Sequence, residues 1–234
     1  MANKEEIVER LVKQLDAAHE VRTSLKSDAV TATRRERLRE WQAERLSRTH
    51  ADLLTNPRSQ ATALFFLTDI YGPKDLSQHE EDVRRILPVM TRVLPATGLE
   101  TVADVFELNA LSERLDGAMV RALESAADHL TPADYGRAYR QVGRRADRER
   151  QIDLIDQLGH SLDRLTRSSF IGMALSTMRK PALVAGLGGL QDFLERGYKA
   201  FRKIGRADEF MESIVTRERQ LLEALFAGDD ALLS

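Results

Sequence analysis

The 234-residue sequence balances 35 Lys and Arg against 37 Asp and Glu, for a net charge of −2, and contains no cysteine. The missing cysteine excludes disulfides, zinc–thiolate centres, iron–sulfur clusters and thiol nucleophiles. With 13 glycines and 6 prolines the chain has too little punctuation for a sandwich or barrel of short strands, and its balanced charge argues against a nucleic-acid coat or an acidic tail.

Apolar residues recur with a period near 3.6 almost throughout, so the reading is all-α. Residues 4–19 set Ile7, Leu11, Val12, Leu15 and Ala18 on one stripe, and a polar break follows at Lys26-Ser27-Asp28. Residues 1–28 are thus expected to form an amphipathic helix and break, a docking or dimer arm for a partner or a second subunit. Residues 29–234 are expected to form one helical-bundle domain. Residues 31–54 predict a long Arg-rich helix with Arg45 on the stripe of Leu38 and Trp41. The spacing of Trp41 and Arg45 permits a cation–π contact, and Arg45 is the expected counter-ion for an inward carboxylate.

Asn56-Pro57 reads as an N-cap with proline at the first helical position. The helix it opens, to about Ile70, is apolar nearly all round and is expected at the centre of the bundle. Tyr71-Gly72-Pro73 stops it. A helix over 76–94, kinked at Pro88, and a turn at Pro95–Gly98 lead to the longest uninterrupted pattern, 100–129. Thr131-Pro132 caps a further helix with Asp134 at its third position, running to about Arg167 with a bend near Gly143. Segments over 169–179, 181–204 and 207–227 complete an irregular bundle of about eight or nine helices.

The segment Phe65-Phe66-Leu67-Thr68-Asp69-Ile70-Tyr71-Gly72-Pro73-Lys74-Asp75 resembles the signature FFLxDxYGPxD of a family of uncharacterised bacterial proteins. Residues 107–116 and 197–205 carry looser likenesses to the same family. The resemblance spans about residues 60–220; it implies one folded domain and transfers no activity, cofactor or catalytic residue.

Motifs that would announce chemistry are missing: there is no GxxxxGK[ST], GxSxG, HExxH or EF-hand loop. Gly186-Leu187-Gly188-Gly189-Leu190-Gln191 breaks the dinucleotide fingerprint at Gln191, and its small residues read as close helix packing through Ala182/Gly186 and Ala185/Gly189. Asp153, Asp156, His160 and Asp163 share a stripe opposite Leu154, Leu158, Leu162 and Leu165, which makes them a solvated face rather than a metal site. Arg137, Arg140, Arg144 and Arg148 form a basic stripe opposite Tyr135, Tyr139 and Val142. Asp134, Asp147 and Glu149 interrupt it, so a solvated face is expected and nucleic acid is not the expected partner.

The strongest anomaly lies on the 100–129 helix. Asn109, Glu113 and Asp116 fall on the same arc as Leu108, Leu111, Leu115 and Met119, and carboxylates on a core-facing arc must meet an arginine, a helix end, a ligand or a metal. Asp69 and Tyr71 form a second candidate, aimed by the turn after an apolar helix into an inter-helix cleft. Arg45, Asp69, Tyr71, Asn109, Glu113 and Asp116 are accordingly the candidate ligand-binding residues. No cofactor, metal set or catalytic residue is assigned. The pattern favours a non-enzymatic module binding a partner protein or a small ligand. The alternative is an enzyme or cofactor-binding protein with a polar pocket around Asp69/Tyr71 and Glu113/Asp116. No leader-like segment or apolar run of about 18 residues is found, so a cytoplasmic protein without a membrane span is expected.

Overall fold

A computed structural model of the chain describes residues 3–26, 29–70, 77–123 and 130–233. Among these there is no strand, and the α-helices number eleven rather than eight or nine. The surplus arises where expected long helices break. Helix α1 (Lys4–Lys26) opens with the acidic pair Glu5 and Glu6, which suits the positive end of its dipole. Its stripe of Ile7, Leu11, Leu15 and Ala18 is fully buried and packs with Val83, Leu99 and Phe106 of the same chain. The face read as a docking arm is therefore covered from within.

The expected 31–54 helix is two helices, α2 (Ala29–Thr49) and α3 (Ala51–Thr55), because the backbone leaves helical geometry at His50 (φ −116°, ψ 27°). Asn56-Pro57 does not start a helix: the Asn56 side chain accepts the Arg58 N–H at 3.0 Å in a local turn. Helix α4 (Gln60–Phe65) begins three residues later, after Ser59, and passes into a π-helical turn over Phe66–Ile70. Leu64 remains exposed, so this segment is not the central helix.

That position belongs to α6 (Ala96–Ala122), which follows α5 (Ser77–Val93, with Pro88 inside). Pro95, extended at φ −63° and ψ 160°, takes the N-cap place and starts α6 four residues earlier than the pattern implied. Residues of α6 enter all three large apolar clusters: Leu108, Leu111 and Leu115 in one, Met119 and Val120 in the second, Leu99, Ala103 and Phe106 in the third.

Thr131 and Asp134 form the expected reciprocal cap on α7 (Pro132–Val142). The chain then does more than bend at Gly143. Gly143 (φ 63°) and Arg144 (φ 53°) both take positive φ, ending α7 and restarting the chain as α8 (Arg145–Arg167) with a new rotational phase. Helix α9 (Ser169–Val184) ends at Gly186, whose φ of 74° suits a left-handed turn and whose missing side chain faces open space. The glycine-rich stretch is thus a helix stop, which corrects its reading as a packing seam. Close packing occurs instead at Gly159, where a Cβ would lie 2.6 Å or less from three side-chain atoms of Met211. Helices α10 (Gly188–Ile204) and α11 (Asp208–Ala227) and a 3-10 turn at Ala231–Leu233 complete the bundle. Among the described residues no helix is long and apolar enough to cross a membrane.

Candidate functional site

Because α6 is unbroken, the phase of its polar residues carries through to the structure. Glu113 is 1% exposed and Asp116 is also buried, so both must be answered from neighbouring helices. Helix α2 supplies the answer at a matching spacing: Arg35, Arg39 and Gln42 descend one face opposite Glu113 and Asp116. Arg35 reaches Glu113 at 2.5 and 2.7 Å, and Arg39 reaches it at 2.7 Å. Arg39 also lies 3.5 Å from Asp116, to which Gln42 donates at 3.1 Å. Toward α1 and α5 the chain of contacts continues. Arg22 grips Glu80 with both guanidinium arms and stands 3.8 Å from Glu113, while Asn109 donates to Glu80 at 2.8 Å. A buried network so extensive is stable only when each charge has a partner of good geometry. Burial pushes the Asp116 carboxyl upward, against the pull of Arg39 and Gln42.

The inner end of this network opens on a polar cavity of about 70 Å³ between α2, α6, α7, α8 and α11. Its charged wall consists of Arg45, Asp116, Arg148 and Glu218. Arg45 donates to Glu218 at 2.5 Å, and the His50 ring nitrogen Nε2 lies 3.0 Å from the same oxygen. Burial alone would raise the pKa of Glu218, but Arg45 and His50 outweigh it and hold the carboxylate at about 2. Tyr135 and Tyr139 close one side, and Trp41 stacks on Tyr135 with ring centroids 4.3 Å apart. Burial drives the Tyr139 hydroxyl upward in pKa despite Arg148. Opposite, Gln151 donates to Ser112 at 2.8 Å.

The six residues picked out by pattern divide four ways. Arg45 and Asp116 line the cavity, and Asn109 and Glu113 stand behind it in the network. Asp69 is elsewhere: it lies within the π-helical turn and meets Arg196 of α10 at 2.9 Å. Tyr71 lies outside the described residues. Two expected contacts are replaced. Trp41 gives its ring face to Tyr135 rather than to Arg45, and the carboxylate facing Arg45 is Glu218 of α11 rather than one on α6.

Pattern reading missed Arg22, Arg35, Arg39, Glu80, His50, Arg148 and Glu218. A signal existed for Glu218, which interrupts the apolar stripe of Ile214, Val215, Leu221 and Leu222 at helical spacing. None existed for Arg148. The supposed four-arginine stripe assumes one phase across Gly143, whereas the restart at Arg144 turns Arg148 inward. Arg137, Arg140 and Arg144 do meet Asp134, Asp230 and Asp147 near the surface. Asp163 is likewise buried beside Arg167 rather than solvated. Among the described residues no three His, Asp or Glu side chains gather to hold a metal ion.

Residues 21–232 match the model of a family described as a domain of unknown function, DUF8198, and the chain belongs to that family. No curated protein and no solved structure matches it.

Proposed function

We propose that this DUF8198-family chain is a helical module that binds a small polar ligand in the cavity beside Asp116, without chemistry of its own. One observation carries the reading: a polar, charge-lined space sits at the end of a buried ionic network instead of being filled by side chains, beside three clusters of packed apolar side chains. Two wall groups suited to proton transfer are held out of range. Glu218 is locked as a carboxylate at about 2 and Tyr139 as a phenol, whereas general acid–base work needs a group poised near the working pH.

Trp41, the one tryptophan, reports on the wall through Tyr135. A panel of small polar compounds screened by Trp41 emission and thermal unfolding is expected to contain binders. At a hundred times Kd a binder adds about 2.7 kcal/mol, which for a chain of this size raises Tm by about 5–10 °C. Ser112→Leu, which fills the space, is expected to abolish the rise while leaving the helical circular-dichroism spectrum intact. A screen with no responder, or a response that survives in Ser112→Leu, removes the proposal.

Self-association is a second reading, favoured by α9. Its inner side is tied to α10 through Gln191 to the Leu175 carbonyl and Arg179 to Glu195. Its outer side presents Phe170, Met173 (62% exposed), Thr177, Pro181 and Val184 (92% exposed). At helical spacing these fall within a stripe of about 80°. The stripe is self-complementary about Thr177, with Phe170 opposite Val184 and Met173 opposite Pro181 in an antiparallel pair. A two-fold contact between two copies requires that kind of patch. Sedimentation at rising concentration is expected to show a dimer that Met173→Glu dissociates; a monomer at every concentration eliminates this reading.

A further inference from the structure

We infer that the cavity ligand is a small anion, a carboxylate or an oxyanion of similar size, received by Arg148. The inference rests on the cavity being a ligand site and adds the class of ligand.

Among the charged groups of the wall, Arg148 is the exception. Glu218 is answered by Arg45 and His50, and Asp116 by Arg39 and Gln42. Arg148 is 6% exposed, and no carboxylate of the described residues lies within ion-pair distance of it. Its contacts are the Gly143 carbonyl at 3.2 Å, the Met119 sulfur at 3.4 Å and the Tyr139 ring, whose centroid is 3.6 Å from the guanidinium carbon. The carbonyl and the sulfur satisfy some of its N–H groups and the ring face meets part of its charge, but none of the three is a counter-ion. Its place in the first turn of α8 adds the positive end of the helix dipole. A buried guanidinium is ordinarily retained only with an anion beside it, and here the space beside it is the cavity.

Size narrows the class. A void of about 150 Å³ takes the six carbons of benzene, so about 70 Å³ takes about three or four heavy atoms. Formate, acetate, nitrate and bicarbonate fit, and each offers the planar pair of oxygens that a guanidinium grips with two parallel hydrogen bonds. Gln42 and Gln151 amides and the Tyr139 hydroxyl on the wall supply further donors.

The test compares sodium acetate and formate with acetamide, a neutral isostere of acetate, at constant ionic strength set by chloride. Readouts are Tm and Trp41 emission. Wild type is expected to respond saturably to acetate or formate and to show at least a tenfold weaker response to acetamide. Arg148→Met is expected to lose the response, with a Tm in chloride alone no lower than wild type, since its uncompensated charge is gone. Should Arg148→Met fail to fold, Arg148→Lys decides, with acetate affinity expected to fall at least tenfold. Equal response to acetamide, or acetate affinity unchanged by either substitution, overturns the anion and leaves the cavity reading standing. Silence from every probe overturns both.

Discussion

Glu113→Gln is expected to lower the unfolding free energy by about 3–5 kcal/mol, the cost of stranding buried charge when one partner of a buried pair is removed. The carboxylate is the acceptor shared by Arg35 and Arg39, with Arg22 3.8 Å away. A neutral amide has the same shape but answers none of those charges, and its NH2 end faces guanidinium donors it cannot accept from. Against the roughly 5–15 kcal/mol that holds a typical domain folded, the loss is a fifth or more. Asp116→Asn one turn below is expected to cost under about 1 kcal/mol. Burial already raises the Asp116 pKa in the folded state, so its ionised form carries a penalty that is fully present above that folded value and absent below the unfolded one. Asparagine removes that penalty and keeps an acceptor for Gln42. Urea unfolding with unchanged slope measures both losses. If the two substitutions cost the same, the network is not centred on Glu113. In an Arg35→Met background the cost of Glu113→Gln should shrink, because fewer charges are stranded.

The contrast between these two residues shows what pattern alone can deliver. Both were legible as inward carboxylates because α6 runs 27 residues without a break, so about 100° per residue assigns faces correctly from end to end. Their partners were less legible. Helix α2 has few buried apolar residues and many arginines, which reads as a solvent face until it is known to lie along another charged face. Wherever the helical phase resets, the method fails for a physical reason. The two positive-φ residues at Gly143 and Arg144 rotate Arg148 from a surface stripe to a cavity wall. The π-helical turn at Phe66–Ile70 shifts Asp69 toward Arg196 on α10, away from the α6 carboxylates with which it was grouped. Trp41 illustrates a different limit. Its spacing to Arg45 is right for contact, but a long-range partner, Tyr135, offers a full ring face, while Arg45 gains more from the buried Glu218. Neighbours along one helix are visible in sequence, and the competition from other helices is not.

Glu218 provides the strongest expected dependence on pH. In the folded chain it is held at about 2 against its usual 4.5, so the unfolded state binds a proton at a pH where the folded state does not. A carboxylate with a depressed folded pKa stabilises fully above the unfolded value and loses that contribution as pH falls through the folded one. The window therefore runs from about pH 4.5 down to about 2, and the shift corresponds to about 3 kcal/mol. Other carboxylates with low values, Asp52 and Glu195 among them, act in the same direction, but their arginine partners are partly exposed and solvent screens what they contribute. The quantity to follow is thus the difference between wild type and Glu218→Gln across pH, by urea unfolding. At neutral pH the variant is expected to be less stable by 3 kcal/mol or more, since Arg45 is left beside a neutral amide in a buried site. As pH drops below about 4.5, wild type loses its advantage and the two curves converge. A difference that stays constant from pH 7 to pH 3 would mean that Glu218 keeps its ordinary pKa. Arg45 and His50 would then be held by packing as much in the protonated as in the ionised state of the carboxyl.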